Sequence, residues 1–391
     1  MIGAGWILSA IWFIVEWPRP YSKGMWRKQW GWWFIVFLSV WLWACEDGQE
    51  TNYYYLKATI TPKVPPYSQT IESIDDFTDE QKHAFLTQGY IDMRLFYRNT
   101  DFGIGGNIWS QSATPSFGSD HIFACCYGGS KYIAVSITGK IAYSSDGNTW
   151  TQAATPSFAG TSIHGVTYGD SIYVAVGQSG KIAYSSDGNT WTQAATPSFG
   201  TNRIYCVTYG DGKFVAGSTV GTIAYSSDGN TWTQAATPSF SSAVRGIVYS
   251  DSKFVAVGYG GEIAYSSDGD TWTQAATPSF GTDNVFSVTY GIGKFIAVGG
   301  SGKIAYSSDG DTWTQAATPS FGTNTIAAVV YGNGKFVAVG VSGKIAYSYT
   351  GDTWTQAATP SFGTDNVVSV TYGVKLFVAT SSTGKIGFSI D

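Results

Sequence analysis

The stretch that decides the fold is Val285-Phe286-Ser287-Val288-Thr289-Tyr290, Gly291-Ile292-Gly293, Lys294-Phe295-Ile296-Ala297-Val298, then Lys303-Ile304-Ala305-Tyr306-Ser307, Ser308-Asp309-Gly310-Asp311 and Thr312-Trp313-Thr314-Gln315-Ala316. Four runs of five or six β-branched and aromatic residues are separated by Gly, Ser and Asp, which is strand and turn chemistry. Nothing in it has a helical period. The same unit recurs from Trp109 onward, marked by Trp109, Trp150, Trp191, Trp232, Trp272, Trp313 and Trp354, spaced by 41, 41, 41, 40, 41 and 41 residues. Four antiparallel strands every 40–45 residues form a propeller blade, and blades stacked in a ring bury faces that no single blade covers.

The ends of the repeat region predict how the ring closes. The turn Ser-Ser-Asp-Gly-Asn-Thr-Trp, as at Ser144 to Trp150, stops in its last copy at Ser389-Ile390-Asp391, and its other half stands at Gly106-Asn107-Ile108-Trp109. Residues 107–113 are therefore expected to supply the outer strand of the last blade, leaving no open sheet edge. The predicted fold is all-β: a seven-bladed β-propeller of four-stranded antiparallel blades over 107–391. It follows a hydrophobic segment over 1–45 and a polar connector over 46–106.

The turn resembles the Asp-box of sialidase-type (BNR) repeats, which lies between the third and fourth strands of a blade. Ser144, Asp146, Thr149 and Trp150 carry the match; the box is one residue shorter than the family's, and Thr350 replaces the Asp in the sixth unit. The turn aspartates are Asp146, Asp187, Asp228, Asp268, Asp309 and Asp391. Their expected role is structural, with the carboxylate accepting backbone N–H bonds and the Trp packing between blades.

Resemblance to sialidase repeats raises glycan hydrolysis, which needs an acid and a nucleophile or base in one cleft. A sialidase adds an arginine cluster, yet the repeat region has only Arg203 and Arg245, and one glutamate, Glu262. The chain is read as a non-enzyme, with a glycosidase using Asp120, Asp283 or Asp365 as the alternative. His121 and His164 lack enough neighbouring thiols or carboxylates to form a metal set, and Cys125, Cys126 and Cys206 read as small buried apolar residues. No metal and no cofactor are expected.

Variation within the repeats gathers in two loops, one entering the first strand and one joining the second and third. In a propeller both lie on one face, opposite the Asp-box turns. Loops on a rigid scaffold commonly carry function, so this face is the expected ligand site. Its candidates are His121, Gln178 and Arg203, with Tyr205 and Arg245, then Tyr259, Asp283 and Asn284, and finally Asp365.

Of sixteen Trp, nine lie in residues 1–45. The run from Met25, with Arg27 and Lys28 before an apolar stretch ending Leu42-Trp43-Ala44-Cys45, resembles a bacterial lipoprotein signal. That resemblance implies lipidation at Cys45 and translation from Met25. The other reading is a membrane hairpin with Arg19 to Lys28 on the cytoplasmic side. Either places the propeller in the cell envelope outside the cytoplasm. In the connector, Thr78 and Gln81 form a capping box that predicts a short helix over 79–88. Net charge is −5, with no basic run beyond the N-terminus, which argues against nucleic acid as partner. The expected function is a tethered monomeric module binding a protein or carbohydrate. A weaker alternative is an assembly factor for a membrane complex, from resemblance to propeller assembly factors carrying similar repeats.

Overall fold

The computed structural model describes residues 109–390 apart from 113–116, 155–157, 159, 196–197, 237–239, 277–278, 317–320, 358–361 and 375, together with four strands upstream. The expected helix at 79–88, Cys45 and Asp391 lie outside the described residues. The chain divides into two compact units, Met1–Phe102 and Gly103–Asp391. In the first, Trp6–Ile11, Phe37–Ala44, Tyr54–Thr61 and Gln69–Ile71 form an antiparallel sheet in chain order. Most of the apolar run before Cys45 is thus a strand here, with Phe37 opposite Thr61 and Ala44 opposite Tyr54. Among the described residues no helix is long and apolar enough to cross a membrane.

The second unit is a seven-bladed propeller of four-stranded antiparallel blades. Each blade runs outward from an inner strand of seven residues, such as Ile163–Gly169, through Ile172–Gly177 and Ile182–Ser185 to Thr192–Gln193. Successive inner strands pack side by side, and Val367–Gly373 of the seventh blade returns to Ile122–Gly128 of the first. The ring closes as its ends predict: Ser110 pairs with Phe388, Gln111 with Gly387, and Ser112 N–H donates to Ile386 O at 2.8 Å. The outer strands, read as five residues, pair over only two in every blade. They are bonded on one side alone, and a short outer strand limits edge-to-edge pairing.

Among the described residues the propeller core is seven clusters, each shared by two blades. Trp191, on the outer rim of the second blade, packs with Ile133, Val135 and Ile141 of the first. Trp150 packs with Leu376, Val378 and Ile386 of the seventh, and Trp109 with Val337, Val339 and Ile345 of the sixth. An aromatic side chain of this size removes roughly 150–250 Å² from water. One per seam explains the constant Trp spacing.

The turn before each Trp holds it in place. Asp146 Oδ1 accepts the N–H of Asn148 at 2.9 Å and of Thr149 at 2.7 Å, while Ser144 Oγ accepts the N–H of Gly147 at 2.9 Å. Trp150 Nε1 donates back to Gly147 O at 3.0 Å. Gly147 has φ +72°, and a Cβ there would lie 2.5 Å from Leu376 Cδ2 of the next blade, so both conformation and space require glycine. The same bonds form around Asp187, Asp228, Asp268 and Asp309. Neighbouring blades are tied here too, as Lys131 Nζ donates to Asp187 O at 2.6 Å.

Candidate functional site

The loop entering each inner strand and the loop between the second and third strands meet on one face. Gln178 N–H donates to Ser162 O at 2.9 Å, Thr219 N–H to Arg203 O at 2.9 Å and Tyr259 N–H to Ala243 O at 2.9 Å, which joins the two loops in three successive blades. The face therefore has a stiff rim around the end of the channel.

Every inner strand carries a β-bulge one residue in from this face. Pairing jumps from Ile122 to Ala124 in the first blade, skipping Phe123, and likewise skips His164, Tyr205, Arg245, Phe286, Ala327 and Val368 in the others. A bulge re-aims the side chain it carries. The residue before each bulge is always Ile or Val and fully buried. The bulged residue differs from blade to blade and is half-buried.

The bulged side chains meet across the blades in a continuous arc. His121 stacks on Phe123 with ring centroids 4.1 Å apart; Phe123 lies 4.4 Å from His164, and His164 meets the edge of Tyr205 at 5.5 Å. The Arg245 guanidinium lies 3.9 Å from the centre of the Tyr205 ring, 5.4 Å from that of Tyr259 and 5.6 Å from that of Phe286. Arg203 approaches the same Tyr205 ring at 5.8 Å. Cations over aromatic faces at these distances are held by the ring quadrupole. Beyond Phe286 the arc ends, because the sixth and seventh blades offer only Ala327 and Val368.

The polar atoms of this arc are underused. Among the described residues His121 Nε2, His164 Nε2, Arg203 Nε and Arg245 Nε are covered and have no partner. Among the described residues neither arginine pairs with a carboxylate, since the face's acids are engaged elsewhere. Asp120 pairs with Lys140 at 2.8 Å, Asp283 with Lys303 at 2.8 Å and Asp365 with Lys385 at 2.6 Å. Glu262 accepts from the N–H of Ser241 at 3.1 Å and from its hydroxyl. Burial, then the charges of Arg203, Arg245 and His121, lowers the His164 pKa to about 3. Burial also lowers that of His121. Both imidazoles are thus neutral at pH 7, and the arc carries two fixed positive charges.

Of the residues singled out from sequence, the arc contains His121, Arg203, Tyr205, Arg245 and Tyr259. Asn284 is spent on the scaffold, its Oδ1 accepting Gly260 N–H at 3.0 Å. Asp283 and Asp365 are locked in ion pairs rather than presented to a ligand. Gln178 sits in the loop of the second blade, outside the arc. Reading the loops missed Phe123, His164 and Phe286. Their signal was the position after the constant Ile or Val, where composition changes in every unit. His164, set aside from the sequence as a metal ligand, bridges Phe123 and Tyr205.

Cys125 and Cys206 are buried and Cys126 half-buried. Burial pushes the Cys125 and Cys206 thiols up to about 12, so neither is a ready nucleophile. Among the described residues no three His, Cys, Asp or Glu are grouped to hold a metal ion.

Comparison with known proteins agrees on the architecture. The profile of the DUF6242 beta propeller domain matches residues 158–290. No curated protein matches the sequence. Among solved structures, YCF48 from Cyanidioschyzon merolae is 14% identical with a TM-score of 0.58, over 72% of this chain and 98% of that one. A structure of YCF48 bound to D1 peptide is 16% identical with a TM-score of 0.60, over 74% and 96%. A catalytically inactive virginiamycin B lyase from Staphylococcus aureus, with quinupristin, is 12% identical with a TM-score of 0.63, over 73% and 99%. At these identities the likeness is one of fold, and the similar folds include both binding proteins and an enzyme.

Proposed function

We propose that this chain is a non-enzymatic binding module that holds a segment of a protein partner across the channel mouth, on the face carrying the bulged residues. The observation that carries the reading is the arc from His121 to Phe286, which joins five blades with aromatic and cationic side chains, four of whose nitrogens have no partner among the described residues. Aromatic and Arg side chains concentrated at the centre of a face are the usual energetic anchors of protein interfaces. A similar propeller fold has been solved with a peptide bound, which supports the same kind of ligand here. An acid–nucleophile pair for glycan hydrolysis is disfavoured because Asp120, Asp283 and Asp365 are each ion-paired to a lysine.

The blade turns resemble the Asp-box pattern, and in this reading residues 1–45 hold the module outside the cytoplasm, with Cys45 as the lipid anchor. Mass spectrometry of the mature N-terminus tests the anchor, and an unmodified peptide spanning Ala44 and Cys45 would rule it out. For the binding role, random peptides displayed on phage are selected against the full chain. Selected peptides should lose binding to Tyr205→Ala and Phe286→Ala variants that melt like the parent. Peptides that bind these variants equally well place the site elsewhere, and saccharides that compete at the mouth replace the protein partner by a glycan.

A further inference from the structure

We infer that the channel mouth recognises an acidic peptide segment in extended conformation, through two carboxylate side chains set two residues apart. The inference rests on the peptide-binding reading and names the chemistry it selects. Arg203 and Arg245 belong to adjacent blades yet lie against one ring, Tyr205, at 5.8 and 3.9 Å from its centre. They form one doubly charged patch. All four acids of the surrounding loops, Asp120, Glu262, Asp283 and Asp365, are already bound to lysines or to Ser241. Among the described residues none of these four acids reaches Arg203 or Arg245, so the two guanidiniums stand without a counter-charge.

Leaving a guanidinium unpaired in a half-buried site is costly, because buried charge is tolerated when it is paired. Here aromatic contacts hold both, and among the described residues neither Nε has an acceptor. A carboxylate is the planar acceptor that a guanidinium fork matches. The flanking histidines are neutral, so they add hydrogen-bonding capacity without further charge.

The spacing follows from strand geometry. In an extended chain alternate side chains point the same way, with about 7 Å between residues i and i+2. With the two guanidinium carbons 5.8 and 3.9 Å from one ring centre, their separation is at most about 9.7 Å, a range that includes this span. The bare stretch at Ala327 and Val368, opposite the arc, leaves room for the chain to pass, and an apolar residue of the segment would lie on Phe123 or Phe286. A nucleic acid is disfavoured by the same count, since two charges give little counterion release and the chain is acidic overall.

The test uses the full chain and fluorescein-labelled, end-capped octapeptides of Gly and Ser with either Glu-Leu-Glu or Gln-Leu-Gln at the centre, read by fluorescence anisotropy. The Glu peptide should bind at least tenfold more tightly than the Gln peptide, and a Glu-Glu or Glu-(x)3-Glu spacing should bind more weakly. Arg203→Gln and Arg245→Gln should each erase most of that preference, while Arg245→Lys retains part of it. Lys213→Gln, the same charge loss on the opposite face, should leave it unchanged. Arg203 sits at the rim, so its variant tests the site even if Arg245→Gln melts early. Equal binding of the Glu and Gln peptides overturns the carboxylate inference and leaves the peptide reading standing. Displacement of the Glu peptide by an equal concentration of inorganic phosphate reduces the site to a general anion site and also overturns it. Failure of both peptides and of every phage-selected peptide overturns the two readings together.

Discussion

Where the ring closes, the side chain of Tyr127 in the first blade lies directly on Gly373 in the seventh, so that a Cβ at 373 would fall 2.0 Å from Tyr127 Cγ. The contact recurs around the ring, with Tyr168 on Gly128, Tyr209 on Gly169 and Tyr331 on Gly291. It explains why Tyr-Gly ends most of the inner strands. Tyr132 adds a hydroxyl bond to Gly373 O across the same seam.

Gly373→Ala should therefore destabilise the propeller even though alanine suits a strand better than glycine. Overpacking costs about 1–3 kcal/mol, and here the methyl meets the root of an aromatic ring that cannot swing aside. Urea unfolding of the full chain should show a lower midpoint for Gly373→Ala. Pairing it with Tyr127→Ala should cost less than the two single changes added together, because the clash disappears with the ring. Additive costs would mean that the contact is not tight.

Two hairpin turns carry an avoidable strain. The turn between the first and second strands needs positive φ at both central residues, a conformation that favours Gly, Asn and Asp. Asp211 and Asn333 meet that need at +48° and +42°, but Ile292 and Val374 hold +46° and +44° with β-branched, exposed side chains. Such a conformation costs roughly 1–2 kcal/mol. Ile292→Asn should raise the melting temperature, with Val374→Asn adding independently. An unchanged or lower value would show that Ile292 is kept for a contact the strain supports.

Periodicity in the sequence exposes the blades well because each strand pairs with a neighbour of similar composition. The closure was legible from one turn motif split between Asp391 and Gly106. The site was less so, and the reason is the bulge. Strict alternation groups Val285 with Ser287, whereas the shifted register buries Val285 and Val288 and leaves Phe286 at the mouth. A reading with period two therefore hides the bulged position. The loops do mark the correct face, but Asp283 and Asp365 there are engaged by Lys303 and Lys385 of the neighbouring loop rather than by a ligand. Long-range pairing of that kind leaves no local signal.

Acid should weaken the protein in two steps. The His164 pKa is about 3 in the folded chain against an ordinary 6.5, so the unfolded chain binds more protons between these values. Stability is full above pH 6.5 and falls as pH drops toward 3, by at most about 1.4 kcal/mol per unit for this group. The groups facing it are Arg203, Arg245 and His121; of these only His121 titrates in the window, and it acts in the same direction. Asp187, held down to about 2 by N–H bonds from Thr190 and Asn189, contributes stability above its ordinary value that is lost as pH falls toward 2. His164→Gln should flatten the first step and spare the second. Thermal melts between pH 7 and 3 that superimpose for the variant and the parent would remove His164 from this account.

The sixth blade offers a converse test of the turn. Thr350 replaces the aspartate there; its N–H still donates to Ser348 Oγ at 3.3 Å, as does that of Gly351 at 2.8 Å, but its hydroxyl donates to Asp352. The two N–H bonds that Asp309 accepts at 2.9 Å from Asp311 and Thr312 in the fifth blade have as counterparts in the sixth the N–H groups of Asp352 and Thr353, which face the carboxylate of Asp352 itself rather than one at position 350. A second acid two residues on is no obstacle, because the fifth blade holds Asp311 beside Asp309 and uses it to accept Ala276 N–H at 2.7 Å. Thr350→Asp should therefore stabilise the protein by about 0.5–1.5 kcal/mol at pH 7, the net value of an added hydrogen bond. The gain depends on an ionised carboxylate, so it should shrink below pH 4 as the new group protonates. A gain that persists at pH 2.5 would point to turn propensity instead of the carboxylate bonds, and a loss at pH 7 would mean that Asp352 repels the new charge more strongly than the turn binds it.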